Sequence, residues 1–133
     1  MHGIIDNEEN IAYGKFNFDV LAVRFSHWIT SDPFDIGQTT TRGLEPLEDD
    51  PRAEASWTAA TKCNQFSLSN GSLMRCTPMA VFTSGGISPE NIRTLISGDV
   101  LFTHSNPIVH DSIFCYCTTI HYLLSHPNEP NRA

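Results

Sequence analysis

The sequence predicts an all-α fold. Apolar residues recur at intervals of three and four along most of the chain, which is the period of an amphipathic helix. No segment shows the sustained alternation of apolar and polar residues that is typical of a strand. With 133 residues, 40% of them hydrophobic and 17% charged, the chain has the composition of one globular domain rather than of a disordered or low-complexity polymer.

The first helix is predicted from Phe18 to Ile29. This segment has a broad apolar face, and either Asn17 or Asp19 can cap its N-terminus. The pair Asp32-Pro33 ends the helix, because the residue before a proline is disfavoured in helical geometry.

Short helices are predicted in the middle of the chain. A weak helix passes through Leu44 and Leu47, an acidic break follows at residues 48–51, and residues 53–60 form one more short helix. An apolar stretch then begins after residue 72, in which Pro78 predicts a kink or a very short first turn.

Two further helices have clear start signals. Ser88-Pro89-Glu90 combines a hydroxyl cap, a proline at the first helical position and an early acid. Asn106-Pro107 opens the last helix, which is predicted to end before His126-Pro127. From the first of these helices, Ile92, Leu95, Ile96 and Val100 are expected to face inward. In the last helix, apolar residues recur at intervals of three and four: Val109, Ile113, Tyr116, Ile120, Leu123 and Leu124.

Charge and hydropathy exclude several classes of partner. The net charge is −7 and the eight Lys and Arg residues are scattered, which argues against binding to nucleic acid. No apolar run reaches the roughly 18 residues of a membrane span, and the first residues lack the pattern of a signal peptide. We therefore expect an intracellular, cytoplasmic protein that does not contact a membrane.

The cysteines and histidines offer only weak metal-ligand patterns. Without a secretory signal or CxxC spacing, the four cysteines are interpreted as reduced thiols, mostly in the core. His110, Cys117 and His121 share one stripe of the last helix, but seven residues is about 10 Å of rise, so one ion cannot bind all three. Cys117 and His121 remain a possible pair, although core packing is the better interpretation.

Two Gly- and hydroxyl-rich loops could bind an anion at a helix N-terminus. They lie at residues 37–40 and 67–72, and neither is a P-loop because no Gly-Lys-Ser/Thr follows the glycines. Ordinary caps and turns are the alternative interpretation of both loops. By composition alone, His104 reads as an exposed or capping histidine.

Carboxylates raise the possibility of glycosidase chemistry, which commonly uses two acids about 5 to 10 Å apart. Asp32 and Asp35 lie in one loop, and residues 48–50 are acidic in another. Acid clusters beside proline are more typical of a solvated loop, and no complete catalytic set is visible.

Four segments taken together resemble the ADP-ribosylglycohydrolase family. They are residues 28–31, 33–40, 67–78 and 101–107, in the family's order and spacing, and the pattern Ser-Asn-Gly-x-x-Met-Arg-x-x-Pro at 69–78 is the most specific. The resemblance implies an all-α orthogonal bundle and a hydrolase that cleaves the glycosidic bond between ADP-ribose and a protein or other acceptor. It also implies two magnesium ions that orient the ribose and a water.

By matching position, the resemblance assigns substrate binding to Gly37, Ser67, Ser69, Asn70, Gly71 and His104. Arg75 and Pro78 are expected to hold the loop and helix rather than to touch substrate. The family's Thr-Asp-Asp-Thr/Ser and Gly-Asp-x-Asp metal elements have no counterpart here, so no catalytic or metal ligand is assigned, and residues 1–5 look like the tail of an earlier helix.

We therefore expect residues 1–133 to be a partial domain of this family, incomplete at both ends and inactive alone. Whether the chain acts as an enzyme stays open, since both metal elements are missing from it. The alternative is a non-catalytic ADP-ribose-binding module or pseudoenzyme fragment. A structural, crystallin-like role would need a complete stable fold, and no feature of the sequence favours it.

Overall fold

A computed structural model describes residues 16–128 of the chain. That range contains seven α-helices and one short 3-10 helix, and no strand. The helices are α1 (Phe18–Ile29), α2 (Gln38–Leu44), the 3-10 helix (Glu45–Glu48), α3 (Ala53–Cys63), α4 (Gly71–Arg75), α5 (Thr77–Thr83), α6 (Pro89–Leu101) and α7 (Pro107–Ser125). The predicted all-α class is confirmed, whereas the helix tail expected at residues 1–5 lies outside the described residues.

Helix ends follow the sequence signals closely. Asn17 caps α1 by accepting a hydrogen bond from the backbone N–H of Asp19 at 2.9 Å, and Asn106 caps α7 by accepting from Ile108 N–H at 3.0 Å. At α6 the proline is in place, but Ser88 makes no side-chain cap bond; its hydroxyl instead accepts from Asn91 Nδ2 at 2.8 Å. The predicted starts are thus confirmed, and the hydroxyl cap of α6 is wrong.

The apolar stretch around Pro78 forms two short helices instead of one. α4 ends at Arg75, Cys76 lies between them, and α5 begins at Thr77 with Pro78 in its first turn. Proline has no N–H to donate to the preceding turn, so a continuous helix would lose a hydrogen bond there. The predicted kink is confirmed.

Two apolar cores form, one in each half of the chain. The first is built by α1, α2, the 3-10 helix and α3 and contains Leu21, Ala22, Leu44, Leu47, Ala53 and Phe102. The second is built by α5, α6 and α7 and contains Cys76, Met79, Ala80, Ile92, Leu95, Ile96, Val100, Val109, Ile113 and Cys117. Of the apolar residues that recur along α7, Tyr116 and Leu124 are exposed.

The loop between α6 and α7 connects the two halves. Its Phe102 is fully buried in the first core, with its ring centroid 5.0 Å from that of Phe25. The hydroxyl of Ser56 lies 2.7 Å from the carbonyl oxygens of both Gly43 and Phe102. Ser105 Oγ donates to Ala60 O at 2.8 Å, so this loop is held from both ends.

The cysteines are free, as predicted, but only half of them are core residues. Cys76 and Cys117 are buried next to each other, whereas Cys63 and Cys115 are exposed. Among the described residues, no helix is both long and apolar enough to cross a bilayer.

Candidate functional site

An open cleft of about 820 Å³ lies between α1 and the loops that lead into α2 and α4. Its α1 wall is largely apolar and aromatic, with Phe25 and Trp28 on that side. Gln38 and Thr39 at the start of α2 and Asn70 before α4 add polar side chains to the lining. A pocket with an aromatic wall and a few polar groups is the usual form of a small-molecule site.

Four of the residues expected to bind substrate line this cleft, and two lie directly behind it. The four are Gly37, Ser69, Asn70 and Gly71. Ser67 and His104 are connected to the cleft through the Ser69 hydroxyl, at 3.3 Å and 2.8 Å respectively. The structure thus brings all of them together around one cavity, while their role in ligand binding stays a prediction.

A hydrogen bond between Thr39 Oγ1 and Ser67 Oγ, at 2.8 Å, joins the two Gly- and hydroxyl-rich loops at residues 37–40 and 67–72. They also approach each other closely at Gly71, where a Cβ atom would lie 2.8 Å from Thr40 Oγ1 and 3.4 Å from His104 Cε1. A side chain at this position would therefore overlap Thr40 Oγ1 and lie against the His104 ring, which favours the glycine. The loops are parts of one site rather than two.

His104 is fully buried, so the interpretation of an exposed or capping histidine is wrong. Its Nε2 lies 2.8 Å from Ser69 Oγ and its Nδ1 lies 2.8 Å from Thr103 Oγ1. Burial, together with the nearby Arg75 cation, lowers the pKa of His104 to about 4. The imidazole is therefore neutral near pH 7, and it supports the cleft from behind.

Arg75 anchors the segment that carries the most specific motif. Its Nη1 forms an ion pair with Asp99 Oδ1 at 2.6 Å, and its Nη2 donates to Asp99 O at 2.6 Å and to Thr103 Oγ1 at 3.0 Å. The guanidinium also lies over the Phe25 ring, 5.3 Å from the centroid. Burial raises the pKa of Asp99, and the Arg75 cation opposes that shift.

Asn64 is a supporting residue that the sequence analysis missed. It is 1% exposed, and its Nδ2 donates to Thr39 O at 2.8 Å and to Thr103 O at 2.9 Å. One amide thus holds the first turn of α2 to the loop before α7. No local sequence signal marks Asn64, since an asparagine in a polar stretch reads as a turn residue.

The acidic clusters do not supply a carboxylate pair to the cleft. Asp35 is the carboxylate among the cleft's described lining residues, and residues 48–50 are not part of that lining. Asp50 is paired instead with Arg52, at 2.7 Å on the surface. The solvated-loop interpretation of residues 48–50 therefore agrees with their placement.

The residues described do not fit a metal site. Between residues 16 and 128, no three His, Cys, Asp or Glu side chains are placed to hold an ion together. On the stripe of α7, His110 Nε2 is hydrogen-bonded to His104 O at 2.8 Å, and Cys117 is buried against Cys76. A three-ligand site built on this helix is therefore absent from that range.

Comparison with known proteins agrees with the motif segments. The sequence profile described as ADP-ribosylglycohydrolase matches residues 1–133. The ADP-ribosyl-[dinitrogen reductase] glycohydrolase of Rhodospirillum rubrum is 26% identical over 126 residues, which cover 90% of this chain and 40% of that protein. A protein of Acanthamoeba polyphaga mimivirus, provisionally named an ADP-ribosyl glycohydrolase, is 33% identical over 99 residues, covering 71% of this chain and 29% of that protein.

No solved structure matches the chain. The chain spans well under half the length of the two curated relatives, at 29% and 40%. Because the profile match extends over every residue from 1 to 133, the chain belongs to the ADP-ribosylglycohydrolase family.

Proposed function

We propose that this chain forms part of an ADP-ribose-binding cleft in a hydrolase that removes ADP-ribose from a modified protein or another acceptor. One observation carries the proposal: the segments that resemble the family, at residues 33–40 and 67–78, meet at a single open cleft of about 820 Å³. The names of both relatives describe ADP-ribosyl glycohydrolases, which supports the same substrate class.

The chemistry of the lining suits such a ligand. Phe25 and Trp28 offer aromatic surface on which an adenine ring can stack. Arg24 and Arg75 bring positive charge to the same cavity, which favours an anionic pyrophosphate. Asn70 lines the cleft and its side chain makes no hydrogen bond to any described residue, so its amide is available to a ligand.

In the proposed reaction, a water oxygen bonds to the anomeric carbon of the ribose while the bond from that carbon to the acceptor breaks. The acceptor leaves with a proton that comes from the water. We propose that two magnesium ions assist this step and that their ligands are side chains outside residues 16–128, since that range holds no suitable set of three. The roles proposed for the described residues are binding and positioning of ADP-ribose.

Tryptophan fluorescence offers a direct test of the cleft. The chain has two tryptophans, and Trp28 lines the cleft whereas Trp57 donates from Nε1 to Gly98 O at 3.0 Å elsewhere. In a Trp57→Phe variant, ADP-ribose is expected to change the Trp28 emission in a saturable manner, with calorimetry giving the same affinity. An absence of both signals at millimolar ADP-ribose would refute the proposal.

A matched pair of asparagines sharpens this test. Asn70→Ala is expected to weaken ADP-ribose binding about tenfold, the effect of losing one hydrogen bond to a charged ligand. Asn91→Ala, at an exposed position of α6 that is not part of the cleft lining, should leave the affinity unchanged. Equal losses from both substitutions would point to a general structural effect instead.

A second candidate function is a non-catalytic ADP-ribose-binding module. It is favoured by the single carboxylate, Asp35, among the described lining residues and by the missing three-ligand set. The 133-residue chain should then bind ADP-ribose with an affinity that does not depend on magnesium. The intact mass of the endogenous protein separates the two candidates: a polypeptide much longer than 133 residues supports the hydrolase, and one of this length supports the module.

A further inference from the structure

A buried chain of hydrogen bonds runs from Arg75 through Thr103 and His104 to Ser69 at the cleft. The successive distances are 3.0 Å from Arg75 Nη2 to Thr103 Oγ1, 2.8 Å from Thr103 Oγ1 to His104 Nδ1, and 2.8 Å from His104 Nε2 to Ser69 Oγ. Thr103 and His104 are fully buried, whereas Ser69 is exposed and lines the cavity.

The direction of these hydrogen bonds follows from the groups at their ends. A guanidinium can only donate, so Thr103 Oγ1 accepts from Arg75. The hydroxyl of Thr103 must then give its own proton to His104 Nδ1, because a buried O–H without an acceptor costs free energy. With Nδ1 accepting, the proton of the neutral imidazole lies on Nε2, which donates to Ser69 Oγ.

Ser69 Oγ therefore accepts a hydrogen bond from His104, and its own O–H can donate to a group in the cleft. Ser67 Oγ, at 3.3 Å, is a second donor to the same oxygen. With its acceptor capacity used from behind, the Ser69 hydroxyl offers a ligand a hydrogen-bond donor. Arg75, at the other end of this series of hydrogen bonds, fixes their direction because its charged guanidinium can only donate.

We propose that His104 is a positioning residue that holds Ser69 as a donor towards an oxygen without a proton, namely a phosphate oxygen of the bound ligand. This inference rests on the proposed function for the identity of the ligand, and on the described contacts for the direction of the relay. It makes Ser69 a point at which the cleft distinguishes a phosphorylated nucleotide from its nucleoside.

The tautomer of His104 can be measured independently of any ligand. Nitrogen-15 NMR of the full chain should show a neutral ring protonated at Nε2, with the resonance assigned by its loss in His104→Gln. Thr103→Val removes the donor to Nδ1 and should reduce the Nε2-protonated fraction, while Thr103→Ser should restore it. A ring protonated at Nδ1 in the parent chain would overturn the relay.

Ligand binding tests the role of Ser69. Ser69→Ala is expected to weaken ADP-ribose binding roughly ten- to hundredfold, the range for a hydrogen bond to a charged group, and to leave adenosine binding unchanged. Thr103→Val should also weaken ADP-ribose binding, but by less, and Thr103→Ser should bind ADP-ribose about as tightly as the parent. His104→Gln, which keeps an N–H near the position of Nε2, should retain more affinity than His104→Ala.

Ser112→Ala is the matched control, since that hydroxyl donates to Ile108 O on the exposed face of α7 at 2.7 Å. If Ser69→Ala binds ADP-ribose as tightly as the parent, the inference fails while the proposed function stands. If the parent binds no ADP-ribose, the proposed function and the ligand assignment fail together, and the NMR measurement still decides the direction of the relay.

Discussion

The two loops that meet at the cleft differ sharply in how they are held. Residues 102–106, between α6 and α7, include Phe102, Thr103 and His104, each 0% exposed. Residues 64–70, between α3 and α4, leave Phe66 at 85% exposed and Leu68 at 64% exposed. Hydrogen bonds from Asn64 to Thr103 O and from Asn106 to Gln65 O connect the two loops, and the bond between Ser69 and His104 connects them at the cavity.

The first loop supports the cleft from behind, whereas the second loop contributes residues to its lining. The loop at 102–106 is fixed by an aromatic residue in the first core and by hydrogen bonds to α3 on one side and to Arg75 and His110 on the other. The loop at 64–70 is anchored at its start by buried Asn64 and then follows the surface to the cleft. Substitutions in the first loop should therefore change stability, whereas those at the exposed positions of the second should change ligand binding or nothing.

The largest expected effect comes from comparing the two phenylalanines. Phe102→Ala should lower the free energy of unfolding by about 3 to 5 kcal/mol, because it empties a fully buried site among aromatic neighbours. Phe66→Ala should change it by less than about 0.5 kcal/mol, since that side chain is exposed. Urea denaturation followed by circular dichroism measures both, and comparable losses would contradict the contrast between the loops.

Acid should act on the buried loop through His104. Its pKa is about 4 in the folded chain against an ordinary value of 6.5, so the unfolded state takes up the proton first as the pH falls. The stability due to neutral His104 is complete above pH 6.5 and is lost progressively towards pH 4, by at most about 3 kcal/mol.

The pH dependence of unfolding, measured between pH 7 and 4, checks this expectation. His104→Gln should flatten the curve relative to the parent. Parallel curves for the parent and His104→Gln would count against a depressed pKa at this site.

A smaller loss of stability is expected at Gly43, where α2 packs on the loop at residues 102–106. A Cβ atom at Gly43 would lie 2.5 Å from Phe102 O and 2.9 Å from Thr103 Cα, both of them backbone atoms. Gly43→Ala should therefore destabilise the chain by about 1 to 3 kcal/mol through overpacking. At Gly37 a Cβ would meet nothing within 4 Å, so Gly37→Ala is the control, and thermal denaturation should show no loss for it.

The smallest effect concerns single hydroxyls. Ser105→Ala removes the partly buried bond to Ala60 O and should cost about 1 kcal/mol, the usual net value of such a bond. Ser84→Ala removes a bond to Val81 O on the surface and should cost less than about 0.5 kcal/mol. A lower urea midpoint for Ser84→Ala than for Ser105→Ala would contradict this ranking.

Local sequence signals predicted most helix boundaries. Asn17, Asn106 and the prolines of α5, α6 and α7 act within one helical turn. The helix starts that they favour can therefore be predicted without knowledge of the tertiary structure. The hydroxyl of Ser88 was misread because Asn91, three residues later, donates to it. The repeat along α7 includes Tyr116 and Leu124, which are exposed, because periodicity shows which residues share a face and not how much of that face is covered.

The sequence by itself determined the helical class, the order of the elements, the kink at Pro78 and the family, since each depends on neighbouring residues or on short motifs. Only the tertiary structure decided that the two Gly- and hydroxyl-rich loops form one cleft, that His104 is buried and neutral, and that Asn64 ties the loop carrying His104 to α2. These properties depend on contacts between residues 25 to 39 positions apart. Burial and hydrogen-bond direction arise from such contacts, and the local pattern of a sequence does not encode them.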